Sequence, residues 1–258
     1  MCIRDSHSSD SFSDTYLATY TDFLTPNSVY IGNTADPKNE LTLLKQSQKC
    51  FDASSMITTR FEATSKDGTK IPYFVVHKKD IKLDGKNPTL QYGYGGFQIP
   101  QVPGYLGILG KTWVELGGVY IRTNLRGGGE FGPKWHQAVL KENRYKVYED
   151  NIAISEDLIA RKFTSANHLA ISGGSNGGLL VGATITLRPD LYKAAIIGVP
   201  LLDMLRYHKL LSGASWVAEY GDPDDPKMRE AILKYSPYQK LSPSATVSYT
   251  HLTLPTKA

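Results

Sequence analysis

The sequence is poor in the features that define several common classes of protein. Only two of its 258 residues are cysteine, Cys2 and Cys50, which form neither a disulfide framework nor a metal-binding motif. No apolar run approaches the roughly 18 residues that a membrane-spanning helix needs. The net charge of +4 is small and dispersed, which argues against nucleic acid as a partner. With 41% hydrophobic and 21% charged residues, the composition is that of an ordinary globular protein.

The two ends of the chain differ from the rest in their sequence pattern. Residues 1–10 and 247–258 show no periodicity that continues into their neighbours. We expect both to be non-native tails, translated from sequencing or assembly read-through, and we leave them out of the fold prediction. No charged-then-apolar segment typical of a signal peptide opens the chain. The compartment, cytoplasm or periplasm, is left open.

The most informative stretch is residues 167–181, whose pattern predicts a strand, a tight turn and a helix. Its apolar run at 169–171 is typical of a buried parallel strand. The motif Gly173-x-Ser175-x-Gly177 matches the nucleophile elbow of α/β-hydrolases. Side chains two residues either side of a serine at such a bend would collide with the neighbouring strand or helix, which glycine avoids. The following helix also directs N–H groups towards the place where an oxyanion would form.

Other interpretations of the glycine-rich turns stay open at this point. The first is a strand–helix turn with an incidental serine. A P-loop is disfavoured because residues 173–178 lack the Lys-Ser/Thr pair at the helix start. Residues 127–132 satisfy G-x-G-x-x-G after a strand-like run at 119–123. Pro133 follows directly and no amphipathic helix opens there, so we do not expect a dinucleotide site.

The remaining pattern predicts short strands first and then strands that alternate with helices. Three strands before residue 50 are too few to bury a core, which indicates part of an all-β unit. The later alternation predicts an α/β fold, with a mostly parallel sheet and helices on both faces. The predicted strands are 16–20, 28–32, 41–45, 57–64, 71–77, 89–92, 119–123, 169–171 and 194–199. The predicted helices are 108–116, 150–162 (apolar side Ile152, Leu158 and Ile159), the apolar stretch after the glycines at 173–178 as far as Arg188-Pro189, and 227–234.

Several independent strings, in a consistent order, make the sequence similar to the prolyl oligopeptidase family of serine peptidases. They are YGYGGF at 92–97, NLRGGGEFG at 124–132 with Trp135-His136, GGSNGG at 173–178, RPDL at 188–191, DMLRYHK at 203–209, Trp216 with Glu219-Tyr220-Gly221, and KYSP at 234–237. The resemblance covers roughly residues 51–241. It implies an α/β-hydrolase peptidase domain over 51–246, truncated at its C-terminus. It also implies that residues 11–50 are the last portion of a β-propeller.

The same resemblance implies roles for individual residues. Ser175 would be the nucleophile, and the oxyanion donors would be the backbone N–H of Asn176 and the hydroxyl of Tyr94. Trp216, Phe97 and Tyr220 would line the pocket for the substrate's proline. A proline ring is flat and apolar and lacks a donor, so an aromatic face binds it without leaving a polar group unpaired. Taken singly, each of these aromatics also fits an ordinary core position.

The triad Asp and His are expected to be absent from this chain. In α/β-hydrolases they follow the serine along the sequence, and the family's pair would come after residue 244. Asp203 and His208 follow Ser175 in that order but match family residues without a triad role. His136 is also interpreted as structural. We therefore expect this fragment to be inactive.

The leading hypothesis is a serine endopeptidase that hydrolyses short peptides on the C-terminal side of proline through an acyl-enzyme on Ser175. It would need no cofactor or metal, bind neither nucleic acid nor membrane, and be a monomer at full length. Two alternatives stay open: another α/β-hydrolase, such as an esterase or acyl-peptide hydrolase, and a non-catalytic binding protein with the same fold.

Overall fold

A computed structural model of the chain describes the backbone of residues 3–7, and residues 13–38 and 40–241 with their side chains. Its contacts divide the chain into two compact units. The first comprises Met1–Thr59, Val76–Ile81 and Val102–Gly118, and the second comprises Arg60–Val75, Lys82–Gln101 and Val119–Ala258.

The first unit contains a four-stranded antiparallel sheet in which consecutive strands are neighbours. Its strands are β1 (Ile3–His7), β2 (Thr15–Tyr20), β3 (Ser28–Asn33) and β4 (Thr42–Gln46). The strands predicted over 16–20, 28–32 and 41–45 are confirmed to within one residue. Strand β1 lies in the segment that the prediction left out, and its backbone pairs with β2. The non-native origin of residues 1–10 stays a prediction, and residues 247–258 lie outside the described part.

The helix predicted over 108–116 is confirmed over 108–114, but most of it is π-helical rather than α-helical. The π-helical part is Gly110–Val114, closed by N–H bonds from Glu115 to Gly110 O and from Gly118 to Trp113 O, each 2.9 Å long. A side chain at Gly110 would collide with the ring of Phe51, so the turn packs its backbone directly against an aromatic ring. Local apolar pattern could not reveal this long-range contact.

The second sheet has six strands in the order β10-β9-β7-β8-β6-β5. They are β5 (Met56–Thr64), β6 (Lys70–Lys78), β7 (Thr89–Tyr92), β8 (Val119–Thr123), β9 (Leu169–Gly174) and β10 (Ala194–Gly198). Strands β8, β7, β9 and β10 are parallel, and β5 and β6 form a hairpin whose turn is closed by the Ser65 N–H to Thr69 O bond. The prediction of a mostly parallel sheet is therefore confirmed for four of the six strands. The β5–β6 hairpin makes the sheet a mixed one.

Helices connect these strands and extend beyond β10. They are α1 (Pro133–Gln137), α2 (Tyr145–Ala160), α3 (Asn176–Leu187), α4 (Val217–Tyr220), α5 (Pro226–Leu233) and α6 (Pro237–Lys240). Helix α3 packs on β9 and β10 through a cluster of Ile171, Val181 and Ile185. None of the helices in the described part of the chain combines the length and apolarity needed to cross a bilayer.

Helix α2 begins five residues earlier than predicted, and its buried face differs. Ile154 is fully buried, whereas Ile152 is only half-buried. Two polar residues of α2, Asn151 and Ser155, are also fully buried, and both hydrogen-bond the side chain of Gln91. An apolar pattern misplaces this face because a polar network occupies part of the core.

Candidate active site

Ser175 occupies the bend between β9 and α3. Its φ of +57° lies in the left-handed region that non-glycine residues seldom adopt, and its side chain is exposed. The Ser175 N–H donates to Gly198 O on the neighbouring strand at 2.9 Å. The predicted strand–turn–helix is confirmed, and the hydroxyl lies at the carboxyl edge of the parallel strands rather than in the core.

The glycines two positions either side of the serine are required by close backbone approaches. A Cβ at Gly173 would collide with the carbonyl oxygen of Gly177. A Cβ at Gly177 would lie 2.7 Å from the carbonyl oxygen of Gly93. Real Cβ atoms do not approach backbone oxygens this closely, so the spacing of the motif follows from the packing of the bend.

Residues 93–98, the glycine loop, follow β7 and pack beside this bend. The Gly93 N–H donates to Ser172 O at 3.2 Å, and the Gln98 N–H donates to Gly127 O at 3.0 Å. Phe97 and Gln98 both have positive φ, at 55° and 56°. A loop with two such residues is held in place only when its surroundings over-determine it.

The glycine loop places the ring of Tyr94 against the bend that carries Ser175, because a Cβ at Gly177 would lie 3.5 Å from Tyr94 Cδ2. Partial burial raises the pKa of Tyr94, and a hydrogen-bonding interaction with the Ser175 side chain opposes the rise. Because the net direction is upward from an already high value of about 10, the phenol keeps its proton at neutral pH. Tyr94 can therefore act as a hydrogen-bond donor beside the serine.

Asn176, the first residue of α3, is buried and fully engaged through its side chain. Its Nδ2 donates to the backbone oxygen of Tyr94 at 2.6 Å. Its Oδ1 accepts from Arg144 NH2 at 2.5 Å and from the hydroxyl of Tyr220 at 2.8 Å. The two residues expected to supply the oxyanion donors are thus joined by a direct hydrogen bond.

The aromatic residues expected to form the proline pocket differ in exposure. The rings of Phe97 and Tyr220 meet edge to face with centroids 5.6 Å apart. Phe97 is half-buried, whereas Tyr220 is fully buried and its hydroxyl is bound to Asn176. Trp216 ends the 3-10 turn Gly213–Trp216 just before α4 and is half-buried. Phe97 and Trp216 thus retain surface for a ligand, and Tyr220 packs beneath Phe97.

Sequence patterns missed a buried charged group beside these residues. Arg144 and Glu219 have side chains only 1% and 6% exposed, and Arg144 NH1 donates to Glu219 Oε1 at 2.8 Å. The same carboxylate oxygen accepts the Phe97 N–H at 2.9 Å, and Glu219 Oε2 bonds His136 Nε2 at 2.7 Å. Burial lowers the pKa of Arg144, but nearby Tyr148, Tyr220 and Glu219 raise it by more, so the guanidinium stays charged. Glu219 lies within a family string, whereas no local signal singled out Arg144.

The four histidines whose side chains the structure describes are each hydrogen-bonded to a partner other than Ser175. His136 bonds Glu219, His208 bonds Asp224, His77 bonds Lys78 O and His168 bonds Ser165. Asp203 instead pairs with Arg206 at 2.6 Å, so Asp203 and His208 do not form a couple. That neither belongs to a triad stays a prediction.

A cluster of possible metal ligands occurs among the described residues. Donor atoms of His208, Asp222 and Asp224 lie within 4.8 Å of one another. Both carboxylates are exposed, and Asp224 is already bound by Lys209 Nζ at 3.1 Å. Nothing else indicates an ion here, and the expectation that no metal is needed stays a prediction.

The profile of the prolyl oligopeptidase family matches residues 110–254, which is more than half of the chain. The chain belongs to the prolyl oligopeptidase family. Its mixed sheet with helices agrees with the α/β-hydrolase catalytic domain of that family.

Relatives of known name agree with this assignment. An uncharacterized peptidase of Sinorhizobium fredii is 50% identical over 242 residues, covering 94% of this chain and 33% of the relative. Prolyl endopeptidase of Elizabethkingia miricola is 44% identical over 219 residues, covering 84% of this chain and 31% of the relative. The structure of a post-proline cleaving enzyme from Rickettsia typhi matches with a TM-score of 0.83 and 44% identity, covering 89% of this chain and 33% of that one. The chain spans about a third of the length of these prolyl oligopeptidase relatives.

Proposed function

We propose that this chain is the catalytic-domain portion of a serine endopeptidase that cleaves short peptides on the C-terminal side of proline. The observation that carries the proposal is the exposed Ser175 side chain on a positive-φ bend, with the ring of Tyr94 packed against the same bend. Membership of the prolyl oligopeptidase family and the names of the relatives support a peptide bond after proline as the target.

In this mechanism the Ser175 Oγ attacks the scissile carbonyl while its proton passes to a general base. The carbonyl electrons move onto oxygen, and the tetrahedral oxyanion collapses to an ester on Ser175 as the protonated amine leaves. Water then hydrolyses the ester through the same steps. We assign the base to a histidine, oriented by a carboxylate, in the part of the full-length protein beyond residue 244. On this proposal the fragment alone is inactive.

The oxyanion would be bound by the Tyr94 hydroxyl and the Asn176 backbone N–H. The raised pKa of Tyr94 supports this role, because only the protonated phenol can donate. The start of α3 adds the positive end of a helix dipole at the same place. One such donor typically stabilises the transition state by about 2.7–4 kcal/mol.

The proline ring would lie against Trp216 and Phe97, with Tyr220 as the base of the pocket. The edge-to-face packing of Phe97 on Tyr220 supports a preformed aromatic wall. An apolar ring gains contact area there without leaving a buried donor unpaired.

For the domain organisation, we assign residues 11–50 to the last portion of a β-propeller and residues 51–246 to the peptidase domain. Within residues 11–50, strands β2, β3 and β4 are consecutive antiparallel neighbours, as in a propeller blade, which supports the first assignment. The full-length protein would be a monomer that acts on peptides without a cofactor.

The test is hydrolysis by the full-length protein of peptide amides that carry either proline or alanine before the scissile bond, beside simple esters. We expect preference for the proline peptide and loss of about 10⁴ to 10⁶ in turnover in Ser175→Ala. Faster cleavage of esters or of acyl-peptides would favour another α/β-hydrolase. No hydrolysis of any of them would favour a binding protein.

A further inference from the structure

Asn176 is placed so that its side chain connects the two oxyanion donors of the proposed function. Its Nδ2 donates to Tyr94 O at 2.6 Å, while its own backbone N–H begins helix α3. The loop backbone approaches so closely that a Cβ at Gly96 would lie 2.6 Å from Asn176 Nδ2 and 2.8 Å from Arg144 NH2. One short hydrogen bond therefore joins the two residues that carry the proposed donors.

Arg144 and Glu219 fix the orientation of that side chain. Arg144 NH2 and the Tyr220 hydroxyl both donate to Asn176 Oδ1, which forces Nδ2 to face Tyr94 O. Glu219 balances the charge of the buried guanidinium through its bond to NH1 at 2.8 Å. A buried arginine without a counter-charge would strongly destabilise the fold, so Arg144 can occupy this position only together with Glu219.

Glu219 also holds the other end of the glycine loop. Its Oε1 accepts the N–H of Phe97, whose φ is +55°. Arg144, Glu219 and Asn176 thus hydrogen-bond the loop at two points. Asn176 binds Tyr94 O, and Glu219 binds the Phe97 N–H. Between these points lie the phenol that faces Ser175 and the ring that faces the proposed proline pocket.

We propose that Arg144, Glu219 and the side chain of Asn176 are positioning residues that hold the glycine loop against the start of α3 and so fix the oxyanion hole. This rests on the proposed function. None of the three side chains is assigned a contact with the reacting atoms. Their effect is exerted through Tyr94, Phe97 and the Asn176 backbone. A displacement of about 1 Å in a site of this kind can cost about 10²-fold in rate.

The first test is Asn176→Ala in the full-length protein, which keeps the backbone N–H and removes the side-chain bonds. We expect kcat to fall about 10- to 100-fold with KM changed less than about threefold, because the lost alignment matters mainly in the transition state. Binding of a peptide aldehyde ending in prolinal should weaken in parallel with kcat. The matched control is Asn151→Ala, another fully buried asparagine, whose side chain bonds Gln91 and Thr184. It should lower stability without this fall in kcat.

The second test separates positioning from burial of charge. Glu219→Gln leaves Arg144 without its counter-charge and could fail to fold, whereas Glu219→Gln combined with Arg144→Met removes both charges. We expect the double variant to regain stability relative to the single one but to retain the loss in kcat. Recovery of kcat together with stability would overturn the proposal, as would unchanged kcat in Asn176→Ala.

Hydrogen exchange provides a readout that does not depend on peptidase activity. In both Asn176→Ala and the double variant, amides of residues 94–98 should exchange at least about tenfold faster, and in Asn151→Ala they should not. If wild-type protein cleaves no proline peptide but shows this pattern, the proposed function fails and the positioning role stands. If the exchange of residues 94–98 is unchanged, the positioning role fails whatever the activity.

Discussion

Two buried arginines in the second unit have the same chemistry and very different surroundings. Arg126 and Arg144 have side chains 5% and 1% exposed, and each pairs with a buried carboxylate. Arg126 makes a bidentate pair with Asp150 on α2, at 2.9 and 2.6 Å, and reaches Asp67 in the β5–β6 turn at 2.6 Å. The Arg126 side chain thus links the β5–β6 hairpin to helix α2 and makes no hydrogen bond to Ser175, Tyr94 or Asn176.

The Arg144 group instead ends on residues of the candidate active site. Its bonds lead through Asn176 to the Tyr94 backbone and through Glu219 to the Phe97 backbone. Burial of an ion pair alone therefore says little about its role. The two arginines differ in what their hydrogen-bonded partners contact. The partners of Arg126 belong to a hairpin and a helix, whereas those of Arg144 contact residues that would meet a substrate.

Removal of one charge from the Arg126 group should have the largest effect on stability. Asp150→Asn removes the buried counter-charge of Arg126 and leaves only the partly exposed Asp67, so we expect the free energy of unfolding to fall by about 3–5 kcal/mol. The measurement is urea denaturation. The value of kcat per folded molecule should be unchanged, and a loss of kcat comparable with that of Asn176→Ala would erase the contrast between the two groups.

Tyr94→Phe should give the opposite result. The variant keeps the ring and loses only the proposed oxyanion donor, so we expect kcat to fall about 10²- to 10³-fold, or about 2.7–4 kcal/mol, with little change in unfolding free energy. Because burial raises the pKa of the Tyr94 phenol, its ionisation should not limit wild-type activity near neutral pH. Near-normal kcat in the variant would exclude the phenol from the oxyanion hole.

Asp67→Asn should weaken the Arg126 group in a pH-dependent way. Hydrogen bonds from Arg126 hold the pKa of Asp67 well below its ordinary value, against a smaller effect of burial. The ionised carboxylate therefore stabilises the fold above the unfolded-state pKa of about 3.9, and this contribution is lost as the pH falls towards the folded-state pKa. At pH 7 we expect the variant to lose about 1.5–3 kcal/mol by urea denaturation. The difference in unfolding free energy between wild type and variant should narrow below about pH 4. A difference that stays constant with pH would contradict the stabilising role of the ionised Asp67.

The smallest predicted effect concerns selectivity rather than rate or stability. Trp216→Ala should lower the preference for proline over alanine before the scissile bond by about 10- to 100-fold in kcat/KM, because an apolar contact is worth about 1–3 kcal/mol. The comparison uses paired peptides on the full-length protein. If both peptides lose rate equally, Trp216 is not a wall of the proline pocket.

The bend at Ser175 could be predicted from sequence because its requirements are local. A short apolar strand, glycines at fixed spacing and a helix are all encoded within about fifteen residues, and the close approaches at Gly173 and Gly177 explain the spacing. The parallel sheet followed in the same way from alternating strands and helices.

The Arg144–Glu219 pair could not be predicted, because its partners lie 75 residues apart and no local pattern marks Arg144 or pairs it with Glu219. Long-range packing likewise decided the π-turn at Gly110 against Phe51 and the polar buried face of α2. Sequence pattern located the proposed nucleophile Ser175, and the resemblance suggested Tyr94. Only the three-dimensional structure showed which buried side chains hydrogen-bond the loop that carries Tyr94.

The central claim is that Ser175 is a nucleophile. The most direct measurement treats the full-length protein with a fluorophosphonate and maps the modified residue by mass spectrometry of proteolytic peptides. The account predicts one adduct, on Ser175, and none in Ser175→Ala. An adduct on another serine, or an unmodified Ser175 in folded protein, would contradict it.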